Sequence, residues 1–228
     1  MNELIGRVFN FEKTVFPNSS ELYGTLARDG QSPKALMISC ADSRIVPEEI
    51  MQARPGDLFV CRNAGNIVPP YASMLGGVSA TVEYAVAALG VRDIIVCGHT
   101  DCGAMKALAN PAGLEEAMPN VAAWLKHGSA AQTVVNGCQG HLEGDARVRA
   151  MIYENVVAQL SNLRTHPSVA RAMAAGEMSL HGWVVDIHEG QVLGLDGQTG
   201  QFVPLRDNDP LPVAVSAQVR YPMAEAAE

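Results

Sequence analysis

The stretch Ala35-Leu36-Met37-Ile38-Ser39-Cys40-Ala41-Asp42-Ser43-Arg44 decides the fold. Its apolar residues start after Pro33, run without alternation and stop at a polar cluster. A short unbroken apolar run bounded in this way predicts a strand buried on both faces, as in a parallel sheet. Leu58 to Cys61 and Ile94 to Cys97 have the same character. Between them, Val78, Val82, Ala85, Val86 and Leu89 recur at helical spacing, and Gly90 stands where a C′ glycine ends a helix. The order strand, helix, strand is that of an α/β protein.

Toward the N-terminus, Asn18 with Glu21 three positions later predicts a capping box opening a helix that runs to about Asp29. The amphipathic segment Leu4 to Phe16 predicts another helix before it. Toward the C-terminus, Val148, Ile152, Val156, Leu160 and Leu163 mark a helix that Pro167 forbids from continuing. Trp183 to Ile187 and Val192 to Leu195 then predict a terminal hairpin. The expected fold is a central, mostly parallel β-sheet flanked by helices, with an N-terminal helical arm and an antiparallel C-terminal edge. One domain is expected over residues 1–207, with residues 1–30 as the arm. Residues 208–228, with Pro210, Pro212 and an Ala/Glu-rich end, read as a tail.

At 228 residues and 48% hydrophobic content, the chain supplies a sizeable core. Its net charge of -8 and scattered basic residues disfavour nucleic acid as a partner, because such binding relies on clustered Lys and Arg. Glu3, Arg7, Glu12 and Lys13 interrupt any signal-peptide core. No apolar run approaches the roughly 18 residues that a membrane span requires. A cytoplasmic location without membrane contact is expected, where cysteines serve as thiols or metal ligands.

In an open parallel sheet, ligands gather outside the carboxyl ends of the strands. Cys40 to Arg44 and Gly98-His99-Thr100-Asp101-Cys102-Gly103 both fall there. His99 and Cys102, at a strand-to-helix junction, are spaced to face one point, and Cys40 adds a third donor from a neighbouring strand end. A Cys₂His set leaves a fourth tetrahedral position for water or substrate, as in catalytic zinc sites. Thiolates favour zinc over magnesium or calcium, and a helix starting at Cys102 favours its thiolate. Spacing alone leaves packing open as the role of His99 and Cys102, and a surface ion pair as that of Asp42 and Arg44. Yet a carboxylate two residues after a cysteine would ligate zinc itself unless a guanidinium held it away. Cys61 and Cys138 lack partners at ligand spacing and read as buried thiols. His127, His141, His166, His181 and His188 read as surface or core residues, with no proton shuttle among them assigned.

At these residues the sequence resembles the β-carbonic anhydrases. Cys40 to Arg44 is similar to the family's first motif, and His99 to Cys102 to its second. The similarity takes in Gln31-Ser32-Pro33, Pro55 to Val60, Arg62-Asn63-Ala64-Gly65-Asn66 and Glu83-Tyr84-Ala85-Val86. Glu154-Asn155-Val156 and His181-Gly182-Trp183 resemble the bacterial branch that includes the carbonic anhydrase of cyanate operons.

The resemblance implies reversible hydration of CO₂ to bicarbonate and a proton, with zinc-bound hydroxide as nucleophile. It implies one Zn²⁺ per subunit, held by Cys40, His99 and Cys102, and a catalytic dyad of Asp42 and Arg44, with Asp42 a zinc ligand only in a closed form. It also implies a dimer or higher homo-oligomer. The substrate pocket would lie at a subunit interface, with Gln31, Phe59 and Tyr84 on one side and Ala64 and the Gly103 backbone nearby. Ala64 is smaller than the valine often found there. One branch of the family closes its zinc and binds bicarbonate at a second site, which has a tryptophan three residues before the first cysteine. Met37 occupies that position here. Arg62 matches that site's arginine but reads more simply as a structural ion-pair partner, so an open centre without the switch is expected.

Two other readings stay open at this point. One is CS₂ or COS hydrolysis on the same zinc scaffold, for which the sequence has no clear extension restricting access. The other is a noncatalytic zinc-stabilised domain, which would need a closed fourth ligand. A thiol redox protein is disfavoured because Cys-x-x-Cys does not occur.

Overall fold

A computed structural model of the chain describes residues 1–72 and 76–206. The tail expected over 208–228 lies outside the described residues. Strands β1 (Ala35–Cys40), β2 (Leu58–Asn63), β3 (Asp93–His99), β4 (Ser179–Asp186), β5 (Gln191–Asp196) and β6 (Gln201–Pro204) form one sheet in the order β2-β1-β3-β4-β5-β6. β2, β1, β3 and β4 run parallel, whereas β5 is antiparallel to both β4 and β6. Every residue of β1 is buried, as is all of β3 after Asp93, which is why both read as apolar runs, with Ser39 and His99 the buried polar residues near their ends. The expected C-terminal hairpin is β4 and β5, but β4 starts earlier than its apolar run and pairs in parallel with β3. β6 carries no such run because alternate residues face solvent.

From β1 the chain passes to β2 on one side of it, then crosses to β3 on the other. The crossover helix α4 (Gly77–Glu83) continues through a widened turn, Tyr84–Ala88, and buries Val78, Val82, Ala85 and Val86. Gly90 ends it at φ 68°, as the sequence predicts. Connections therefore leave β1 and β3 in opposite directions, opening a crevice at their carboxyl ends.

The main core lies between the sheet and the long helix α9 (Gly144–Leu163), which rests on β3 and β4. Glycine makes this approach close. A Cβ on Gly182 would lie 2.9 Å from Val156 Cγ1, 3.0 Å from Leu160 Cδ1 and 3.3 Å from Leu195 Cβ. Overpacking of this kind costs about 1–3 kcal/mol, so Gly182→Ala is expected to lower stability by that amount in urea unfolding. An unchanged midpoint would contradict the tight contact. A smaller cluster of Ala35, Met37, Ile45, Ile95, Cys97 and Val185 fills the opposite face.

At the N-terminus, α1 (Asn2–Asn10) runs on through further helical turns to Asn18 and is followed by α2 (Ser20–Asp29). The expected capping box does not form. Asn18 sits inside the preceding turn, where its Nδ2 donates to Thr14 O at 2.9 Å, and Ser19 occupies the cap position without a side-chain bond. The reason is competition: a carbonyl four residues back is already within reach of the Asn18 amide. No residue of α1 is buried, and Leu4, Ile5, Val8, Phe9, Phe11 and Phe16 are exposed. Among the described residues, no helix is long and apolar enough to cross a membrane.

Candidate metal centre

Cys40 is the last residue of β1, and His99 is the last of β3, the neighbouring strand. Cys102 caps the helix α5 (Gly103–Ala109). The structure brings all three to one point, buried, with their ligand atoms within 4.8 Å of one another and the two sulfurs 4.0 Å apart. The His99 ring is oriented by its other nitrogen. Nδ1 lies 2.8 Å from Thr100 O, and because a carbonyl only accepts, Nδ1 carries the proton. Nε2 is therefore left as a bare lone pair, buried and without a hydrogen-bond partner. A buried polar atom left this way marks a site for a ligand, and here it faces two sulfurs. This soft, tetrahedral-type donor set fits zinc.

The two thiols are held differently. Hydrogen bonding from Cys102 is the largest influence that lowers Cys40, aided by His99 and the Gly65 N–H, against the opposing effect of burial. Cys102 is pushed up, first by its bond to Cys40 and then by burial, while the N–H groups of Met105 and Ala104 at the start of α5 act the other way. The expected help from the helix start is thus present in direction but outweighed by the neighbouring sulfur.

Beside the ligands, Arg44 grips Asp42. Asp42 Oδ1 accepts from Arg44 Nε at 2.9 Å and from the Arg44 backbone N–H at 3.0 Å, and Oδ2 accepts from Arg44 Nη2 at 2.8 Å. These bonds hold the Asp42 carboxyl well below the usual carboxylate range. Oδ2 also lies 3.9 Å from His99 Nε2, so this oxygen looks onto the metal position. Asp101 holds Arg44 from the other side: Nη1 donates to its Oδ2 at 2.7 Å and Nη2 to its backbone oxygen at 3.2 Å. Lys106 pairs with the remaining Asp101 oxygen. Lys106 first, then Arg44, lowers Asp101 to about 2. Asp101 adopts φ 59°, a left-handed conformation that Asp tolerates better than most residues.

Arg62 differs from the expected ion-pair partner. Its Nε donates to Cys40 O at 3.1 Å and its Nη2 to Asp42 O at 2.7 Å, so it fastens the backbone of the first motif. A carbonyl accepts from a guanidinium without needing a charge of its own, so backbone oxygens at and just after the end of β1 can hold Arg62 where no carboxylate does. Cys138 is also not the buried thiol expected; it is exposed at the end of α8 (Ser129–Cys138), and Cys61 is half-buried. Cys97, two residues before His99, packs in the smaller cluster with Met37 and Ile95 rather than joining the ligands, and burial pushes its thiol up to about 12.

Of the expected pocket residues, Phe59 and Tyr84 meet, with ring centroids 5.9 Å apart. Gln31, Ala64 and Gly103 are exposed on separate segments, and no hydrogen bond or ring contact joins them to that pair among the described residues. His141 and His188 are exposed, His166 and His181 are buried, and His127 is half-buried. Sequence reasoning missed Asp101 and Lys106 as a second clamp on Arg44. The only signal was their position within and just after the second motif.

Fold and donor set together define an enzyme centre suited to a single zinc ion. The carbonic anhydrase family model matches residues 35–192. A carbonic anhydrase of Pseudomonas aeruginosa is 52% identical over 91% of this chain and 93% of its own length. Carbonic anhydrase 1 of Escherichia coli O157:H7 is 50% identical over 98% of this chain and 100% of its own. Among solved structures, the β-carbonic anhydrase CcaA superposes with a TM-score of 0.90 at 42% identity, covering 94% of this chain and 95% of that one. The chain belongs to the carbonic anhydrase family, in its β class.

Proposed function

We propose a division of labour in which Cys40, His99 and Cys102 hold the zinc, Asp42 orients the attacking oxygen and Arg44 keeps Asp42 in place. The reaction is the zinc-dependent, reversible hydration of CO₂ to bicarbonate and a proton. The observation that carries it is the buried Cys₂His cluster with its unpartnered His99 Nε2. When bound there, zinc supplies Lewis acidity, drawing the pKa of water from 15.7 toward about 7.

Asp42 is ionised and so only accepts hydrogen bonds. Its Oδ1 takes two bonds from Arg44, whereas Oδ2 takes one and keeps a lone pair on the side of His99. That lone pair receives the proton side of the attacking oxygen, which turns the oxygen's own lone pair toward the CO₂ carbon. Arg44, itself tied to Asp101, holds Asp42 back from the metal. In a closed form without that hold, Asp42 would be a fourth ligand. No bicarbonate switch is inferred: Met37 is fully buried and offers no N–H, and Arg62 already donates to two backbone carbonyls.

Phe59 and Tyr84, with Gln31, Ala64 and the Gly103 backbone, are proposed to line the CO₂ path where a second subunit completes it. The exposed apolar residues of α1 support self-association. The net charge of -8 argues against nucleic-acid binding, and free thiols suit a cytoplasmic site of action. Glu154-Asn155-Val156 and His181-Gly182-Trp183 support a place in the bacterial branch that includes the carbonic anhydrase of cyanate operons; unimpaired growth of a deletion strain on cyanate would argue against that role.

One experiment tests the core of this reading. Stopped-flow CO₂ hydration is measured before and after chelation, with zinc counted and sedimentation velocity run on the same samples. Activity should fall with zinc, return on its addition, and accompany a mass of at least a dimer. Zinc retained without hydration at any pH would refute the enzyme assignment, and a single-subunit mass would refute the shared pocket.

A further inference from the structure

The loop leaving β2 brings a backbone N–H to the metal centre: Gly65 N–H points at Cys40 Sγ from 3.4 Å. Its φ of 79° and the crowding that a Cβ would meet, at 3.0 Å from Ala104 Cβ and from Met105 Cε, require glycine there. The peptide unit that carries this N–H also carries the Ala64 carbonyl, and in a trans peptide the two groups point in opposite directions. On α7 (Pro119–Leu125), Trp124 donates its indole N–H to that carbonyl at 2.9 Å. Indole N–H, peptide and thiolate therefore form one line of donors and acceptors in which each bond polarises the next.

The following peptide is fixed as well. Asn155, buried on α9, donates from Nδ2 to Gly65 O at 3.0 Å, and Gln159 Nε2 donates to Asn155 Oδ1 at 2.9 Å. Both peptides of Gly65 are thus held by side chains far from the ligands in sequence.

We propose that Trp124 and Asn155 are positioning residues for the metal centre, holding the Gly65 N–H on the Cys40 sulfur and so setting how strongly that sulfur donates to zinc. The need is chemical. Two thiolates and a neutral imidazole leave a zinc centre formally uncharged, which weakens its Lewis acidity. An N–H on one sulfur draws part of that charge back. The inference rests on Cys40 being a zinc ligand.

The test compares wild type with Trp124→Phe, which keeps a ring and removes only the donor. Cobalt(II) in place of zinc reports the sulfur-to-metal charge-transfer band, and chelator competition reports zinc affinity. The expected result is a band moved to longer wavelength, because a sulfur relieved of the N–H donates more charge, and a zinc Kd raised about 10-fold, because the sulfur is no longer held in place, the lower end of effects from groups that support metal ligands. Asn155→Leu, close in size and without the donor, should move the band in the same direction and gives the reading if Trp124→Phe does not fold. Asn162→Ala serves as the control. Asn162 grips the same loop at Val68 O, at 2.9 Å, and meets Gln159 at Oε1, at 3.1 Å, rather than at the Nε2 that holds Asn155, so its loss should lower the melting temperature and leave the band in place. An unmoved band in folded Trp124→Phe or Asn155→Leu, or the same movement in Asn162→Ala, overturns the positioning role. A wild-type chain with no thiolate-to-cobalt band overturns the ligand assignment beneath it.

Discussion

Replacing Cys102 with serine is expected to remove zinc and CO₂ hydration together, leaving a rate indistinguishable from buffer. Serine keeps nearly the same shape, but its hydroxyl stays protonated where a thiolate would bind, so one of three protein donors is lost. The consequence is large because the metal is the source of the nucleophile. Water of pKa 15.7 supplies roughly 10⁸-fold less hydroxide at neutral pH than water whose pKa lies near about 7. Metal analysis beside stopped-flow hydration decides the matter. A variant that keeps both zinc and rate would take Cys102 out of the ligand set.

Arg44→Ala is expected to separate zinc from activity. The ligands are untouched, so the variant should retain the metal, whereas kcat/KM should fall by about 10²-fold or more, the usual cost of losing one preorganised group that orients the reaction. Asp42 would lose its Nε and Nη2 bonds, and its Oδ2 begins only 3.9 Å from His99 Nε2. A short swing would make it a ligand and fill the open position. X-ray absorption should then show an added carboxylate oxygen. An unchanged rate, with no carboxylate among the ligands, would dismiss the restraining role of Arg44.

The parts of this molecule that were legible in the sequence are those whose cause is local. β1 and β3 read clearly because strands buried on both faces are predominantly apolar, and the ligands read clearly because Cys40 and His99 end those strands and Cys102 follows three residues later. Asp42 and Arg44 are two positions apart, so their pairing also shows in the chain. The roles of Asp101 and Arg62 do not: Arg44 and Asp101 are 57 positions apart, Arg62 and Cys40 are 22 apart, and only the order of strands brings them together. Asn18 failed as a cap because the preceding helical turns, invisible to a four-residue pattern, offered its amide another acceptor. Cys138 looked like other small apolar residues, and nothing nearby signalled that α8 ends with it exposed.

The crevice between β1 and β3 has one more consequence. Cys40 and Cys102 lie 62 positions apart along the chain, so an ion held between them acts as a crosslink that ties two distant segments of the polypeptide. Folding and metal supply are then thermodynamically linked. Free zinc at a hundredfold excess over Kd adds about 2.7 kcal/mol to the stability of the native state, and scarcity withdraws it. A cell short of zinc would lose turnover and, with it, part of the population of intact molecules available to proteases.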